Sequence, residues 1–156
     1  MKQILKEQHY LPRFLAPAQN GHTRTYLLAG DLGGTKTNLA LFSTEQGELD
    51  LIREQKYASR DYANFSEIIQ HFISESRDTP PERICIGVAG PVVKGKVELT
   101  NLSRELSEEE IRQNTGIHAV ALINDLEATA YGLATLAPEQ LTTLHRGAAE
   151  NNGNIA

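Results

Sequence analysis

The chain has 156 residues, 40% of them hydrophobic, and a net charge of −5, enough for one domain with a packed core. The acidic balance, without any long basic run, argues against nucleic acid or an anionic membrane surface as the main partner. No apolar run approaches the roughly 20 residues that span a bilayer, and residues 1–24 lack the apolar core of a signal peptide, so the expected location is cytoplasmic.

Residues 1–24 mix charge with Pro12 and Pro17 and read as an extension ahead of the first strand. The next stretch, residues 27–42 (LLAGDLGGTKTNLALF), organises the chain. An apolar run ends at Asp31, turns through Gly33 and Gly34, and resumes as a second apolar run, which predicts strand, turn, strand. Glycines at 33 and 34 permit positive φ and lack a Cβ, so backbone N–H groups can approach an anion closely. Asp31 is placed to hold a hydrated Mg²⁺ against phosphate oxygens, with the Thr35 hydroxyl beside it. The spacing is neither GxxxxGK[ST] nor GxGxxG, and both of those lead into a helix, whereas residues 37–42 predict a strand. An ordinary tight hairpin turn accounts for the same residues.

A turn around Gly47 precedes a third, more polar strand at residues 49–57, nearer a sheet edge. Between residues 61 and 76 the period changes. Phe65, Ile68, Ile69, Phe72 and Ile73 fall on one helical face and predict a core stripe. Pro80 and Pro81 close that segment, and residues 83–89 (RICIGVA) form an apolar strand of the buried, parallel kind. Residues 92–99 (VVKGKVEL) alternate around Lys94–Gly95 as a small hairpin returning Asn101 toward the strand ends. Ser107 and Glu110 form an S-x-x-E capping box for a helix stopped by Gly116. Residues 119–124 (AVALIN) are another buried strand. Asp125 then begins a helix as its N-cap, with Leu126, Ala130, Leu133, Ala134 and Ala137 at helical spacing and Pro138 either ending it or starting a following turn. The single cysteine, Cys85, is expected to be a buried small side chain, and five scattered histidines match no metal-ligand spacing, so no protein metal cage is expected.

Polar residues thus sit where strands end: Asp31, Gly90, Asn124 and Asp125. In open α/β sheets those ends line the ligand crevice. Two amides, Asn101 and Asn124, near one carboxylate suit a polyhydroxylated ligand, although both also suit turns. Lys36 is either a phosphate contact or a solvated turn lysine.

Three segments, AGDLGGTKTNLALF, ICIGVAGPVVKGKVELTNL and VALINDLEATAYGLA, in this order and spacing, resemble the bacterial glucokinase family of hexose kinases. The resemblance implies an α/β fold of the ribonuclease-H-like, actin-like ATPase kind, with a mixed five-stranded sheet and flanking helices. It implies a kinase that uses ATP and Mg²⁺ to phosphorylate the 6-hydroxyl of glucose, the first step of glycolysis. Gly30, Asp31, Leu32, Gly33, Gly34 and Thr35 then become the first phosphate loop, with Asp31 reaching Mg²⁺ through water. Asn101, Asn124 and Asp125 face the sugar, and Asp125 is the catalytic base.

Two departures from the family stand out. Arg104 occupies a position where an aromatic residue is usual, and the chain stops near where a second glycine-rich phosphate loop would begin. Residues 25–156 are therefore expected to be an N-terminal lobe without its C-terminal partner lobe, inactive alone and prone to self-association as a homo-oligomer through its uncovered cleft. A non-catalytic sugar- or partner-binding remnant and an actin-like assembly ATPase are the competing readings.

Overall fold

The computed structural model describes residues 24–45, 48–99 and 104–142. Alternation sets the opening meander: in β2 (Lys36–Glu45), Thr37, Leu39, Leu41 and Ser43 are buried in strict period two. β2 pairs antiparallel with β1 (Thr25–Leu32) on one side and with β3 (Glu48–Ala58) on the other. Next come α1 (Phe65–Ser74), β4 (Arg83–Val88), β5 (Lys96–Leu99), β6 (Arg104–Ser107), α2 (Glu108–Thr115), β7 (Ala119–Asn124) and α3 (Asp125–Ala134). The main sheet is five-stranded and mixed, in the order β3-β2-β1-β4-β7, with β1, β4 and β7 parallel. β3, the polar strand, lies at one edge as its composition predicts.

One face of this sheet is the core. Leu28, Leu32, Leu39, Leu41, Ile84, Ile86 and Val88 meet the α1 stripe of Phe65, Ile68, Ile69 and Phe72, with Ile111 of α2 beside them. Full burial of each such side chain contributes about 1.5–3 kcal/mol. Ile73, the last member of the stripe, is only half-buried at its margin. Arg53 ties β3 to the end of α1: its guanidinium stacks 4.7 Å from the Phe72 ring centroid and ion-pairs with Glu75.

Capping follows local chemistry. Asn64 accepts from the Glu67 N–H, so α1 starts at Phe65, after a short 3₁₀ turn at Ser59–Asp61. Ser107 accepts from the Glu110 N–H as the capping box predicts, and Gly116 closes α2 at φ 74°. The Glu110 carboxylate does not complete the box; it accepts from Ser66 Oγ at 2.8 Å and so links α2 to α1.

Three expectations change. Lys94 and Gly95 do form a turn, with φ of 52° and 73°, but it holds only the Val93–Lys96 bridge. β5 pairs instead with β6, a strand that residues 104–107 do not announce locally. The N-cap of α3 is Asn124, whose side chain accepts from Leu126 N–H, and Asp125 is the first helical residue. Finally, the apolar spacing of α3 points outward: Leu126 is 75% and Leu133 57% exposed. The helix instead approaches the second sheet face through Ala128, whose Cβ lies 3.6 Å from where a Cβ on Gly87 would be. Small residues at the crossing allow that close contact. Cys85, on β4, is half-buried, and burial followed by the nearby Glu127 and Glu108 carboxylates raises its pKa.

The second edge of the sheet, β7, is covered by side chains of α2 in place of a sixth strand. Arg112 donates to the carbonyls of His118 and Val120, and Glu108 accepts from the Leu122 N–H. Arg112 and Glu108 also pair with each other at 2.7 Å. An open edge is an invitation to pair with another chain, and this arrangement occupies it.

Candidate active site at the strand ends

Register brings the three parallel strands to one line. Leu32 is level with Val88, and Val88 with Asn124. The loop after β1, Ala89–Gly90 after β4, and Asn124–Asp125 after β7 therefore open on the same edge. With strands spaced about 4.8 Å apart, the first loop and the start of α3 stand roughly 10 Å from each other, close enough for one phosphorylated ligand to touch both.

The first loop is tight. Gly33 N–H donates to the Lys36 carbonyl at 3.0 Å, and a Cβ on Gly33 would lie 2.8 Å from that same oxygen. The need for glycine there is steric. Neither Gly33 nor Gly34 takes the positive φ that turn chemistry suggests; that conformation belongs to Gly90, Gly95 and Gly116. Gly34, Thr35 and Lys36 are exposed, and among the described residues the N–H groups of Gly34 and Thr35 meet no protein acceptor. Two exposed, unsatisfied donors in a glycine turn are the equipment for an anion. Leu32 is buried in the core, so only its backbone belongs to the loop. Gly30 is a packing position: a Cβ there would press on Leu39 and Ile86 at 2.6 and 2.7 Å.

Asp31 is exposed at the end of β1, directly across from Asn38 of β2. Asn38 donates to Glu54 at 2.9 Å, while its Oδ1 is buried with no partner among the described residues. The Asp31 carboxylate is open to solvent, where a carboxylate can accept from the waters of a hydrated cation, whereas Asn38 Oδ1 is closed off from solvent and takes no part in such a set.

Asn124 is committed on two sides. Its Nδ2 donates to the Gly90 carbonyl at 2.9 Å while its Oδ1 caps α3, which locks the end of β4 to the start of the helix. One N–H and one lone pair remain for a ligand. Asp125 is half-buried, and its Oδ1 also accepts from Leu126 N–H at 2.9 Å, leaving Oδ2 without a protein partner among the described residues. Asn101 lies outside the described residues, and Arg104 opens β6.

Ser59 is a member of this site that its local sequence does not reveal. Its Oγ donates to the Gly33 carbonyl at 2.8 Å, and its N–H donates to the Thr35 carbonyl at 3.1 Å. In YASRD it looks like an ordinary strand-end serine; only the pairing of Lys36 with Ala58 brings it beneath the loop.

Residues 28–156 match the glucokinase family. The chain belongs to the glucokinase family. Glucokinase of Nostoc punctiforme is 40% identical over 124 residues, which are 79% of this chain and 36% of that protein. Glucokinase of Trichormus variabilis is 39% identical over 134 residues, 85% of this chain and 39% of that protein. This member of the glucokinase family thus spans well under half the length of those relatives. Among solved structures, glucokinase from an Antarctic psychrotroph superposes with a TM-score of 0.70 at 30% identity, over 81% of this chain and 40% of that one. Glucokinase from Balamuthia mandrillaris in complex with glucose shares the fold, with a TM-score of 0.56 at 24% identity, over 78% of this chain and 34% of that one.

Proposed function

We propose that this chain is the N-terminal lobe of a glucokinase that transfers the γ-phosphoryl group of ATP to the 6-hydroxyl of glucose, in the cytoplasm, as the first step of glycolysis. The observation that carries the reading is the alignment of Leu32, Val88 and Asn124, which sets an anion-ready loop and a carboxylate on one edge about 10 Å apart. When bound, Mg·ATP supplies the phosphoryl group and screens its charge. The N–H groups of Gly34 and Thr35 bind phosphate oxygens, and Asp31 holds the waters of the cation. Asn124, rigid between Gly90 and α3, offers its remaining N–H to a sugar hydroxyl, with Asn101 assigned the same task. Asp125 Oδ2 accepts the proton of the 6-hydroxyl as that oxygen attacks in line. A base so placed contributes about 10²–10⁴-fold, and the rest of the acceleration is positioning and electrostatics.

The relatives are more than twice as long as the matched region, and the outward apolar stripe of α3 offers a further lobe a surface to cover. Closure of that lobe over the cleft would exclude water from the transfer. A coupled assay with glucose and Mg·ATP tests this: the 156-residue chain gives background rates, and a polypeptide continued through the length of the relatives turns over. Failure of the longer protein to phosphorylate glucose would leave a binding remnant as the reading.

A further inference from the structure

We infer that Ser59 is a positioning residue that presets the phosphate loop, acting through a hydroxyl relay with Thr37; the inference rests on the reading of residues 30–35 as that loop. Ser59 and Thr37 are both buried, Thr37 completely. Their hydroxyls lie 3.0 Å apart. The Gly33 carbonyl can only accept, so the Ser59 proton is committed to it at 2.8 Å. Thr37 must therefore be the donor to Ser59, which gives one ordered chain from Thr37 Oγ1 to Ser59 Oγ to the Gly33 carbonyl.

The consequence for the loop follows from peptide geometry. The Gly33 carbonyl and the Gly34 N–H belong to a single trans peptide unit and point in opposite directions. Drawing the carbonyl inward onto Ser59 aims the Gly34 N–H outward, toward the edge where the strands end. The Ser59 N–H anchors the Thr35 carbonyl at 3.1 Å, so the turn is pinned from beneath at two points. Because Ser59 begins the 3₁₀ turn that leaves β3, the edge strand is coupled to the loop between β1 and β2. Without these bonds the peptide would be free to rotate, and its ordering would have to accompany each binding event, which weakens binding.

The test is a titration with Mg·ATP of a polypeptide continued through the length of the relatives, following the backbone amide signals of Gly33, Gly34 and Thr35. In the parent those signals move on binding. Ser59→Ala raises the dissociation constant about tenfold, the equivalent of about one lost net hydrogen bond, and Ser59→Thr, which keeps the hydroxyl, restores most of the affinity. Signals remote from the strand ends, such as that of Ile111 in the core beside α1, stay where they are in all variants, which separates loop positioning from general unfolding. Should Ser59→Ala fail to fold, Thr37→Val decides, since it removes only the hydroxyl that orders Ser59; a loss of about threefold or more in affinity supports the relay. An unchanged dissociation constant in the folded variants overturns the role of Ser59 and leaves the phosphate loop standing. A parent whose loop signals ignore Mg·ATP overturns both.

Discussion

Replacing Asn124 by Ala removes two bonds at once: the cap to Leu126 N–H and the strut to the Gly90 carbonyl. A lost N-cap costs about 1 kcal/mol and a lost net hydrogen bond about the same. The expected destabilisation is therefore about 2 kcal/mol, or a fall in Tm of roughly 4–8 °C for a chain of this size. Asn124→Asp keeps the capping oxygen but sets a carboxylate against a carbonyl, so it should cost about 1 kcal/mol. Asp125→Ala should cost less than about 0.5 kcal/mol, because Leu126 N–H retains its bond to Asn124. Thermal and urea unfolding followed by circular dichroism read all three. If Asp125→Ala proves more damaging than Asn124→Ala, the assignment of the cap is wrong.

Gly33→Ala drives a Cβ to 2.8 Å from a backbone oxygen that cannot move aside cheaply, so it should cost about 1–3 kcal/mol and abolish the response of the loop amides to Mg·ATP. Arg112→Ala strips the cover from the β7 edge; light scattering should rise on standing, and stability should fall by about 2 kcal/mol. Tyr57 carries a buried hydroxyl with no partner among the described residues, and its pKa is pushed up to about 12 by burial and then by Glu75. The fold thus favours the neutral phenol, so this contribution to stability is present below pH 10 and is lost as pH rises from about 10 to about 12. Tyr57→Phe should remove that alkaline loss and leave the protein at least as stable at pH 7, read by denaturation at pH 7 and pH 11.

Much of the fold was legible because its signals are local. The α1 stripe, the buried runs of β4 and β7, and the Ser107–Glu110 and Gly116 caps each follow from residues within a few positions of one another. β6 was not legible, since four residues reading RELS become a strand only when β5 arrives to pair with them. The cap of α3 lies one residue earlier than the sequence suggests, because Asn124 and Asp125 are both good capping types and only the backbone, still extended at Asn124 (φ −67°, ψ 147°), distinguishes them. The outward face of α3 shows the limit of periodicity: it identifies an apolar stripe without saying what covers it. Around the loop, Asp31 and the glycines were visible as a motif, whereas Ser59 and the orphaned acceptor of Asn38 enter through strand pairing, which leaves no mark on the local sequence.

The role proposed for the Asp125 carboxylate, base of a sugar kinase, is tested most directly by Asp125→Asn in a polypeptide spanning the full length of the relatives. Asn keeps the shape and can still accept from Leu126 N–H, but it cannot take a proton, so the fold and glucose binding should persist. With Asp125 as the base, kcat should fall about 10²–10⁴-fold with Mg·ATP and glucose, while glucose affinity measured by calorimetry stays within a few-fold of the parent. Turnover within a few-fold of the parent would contradict it and place the base elsewhere.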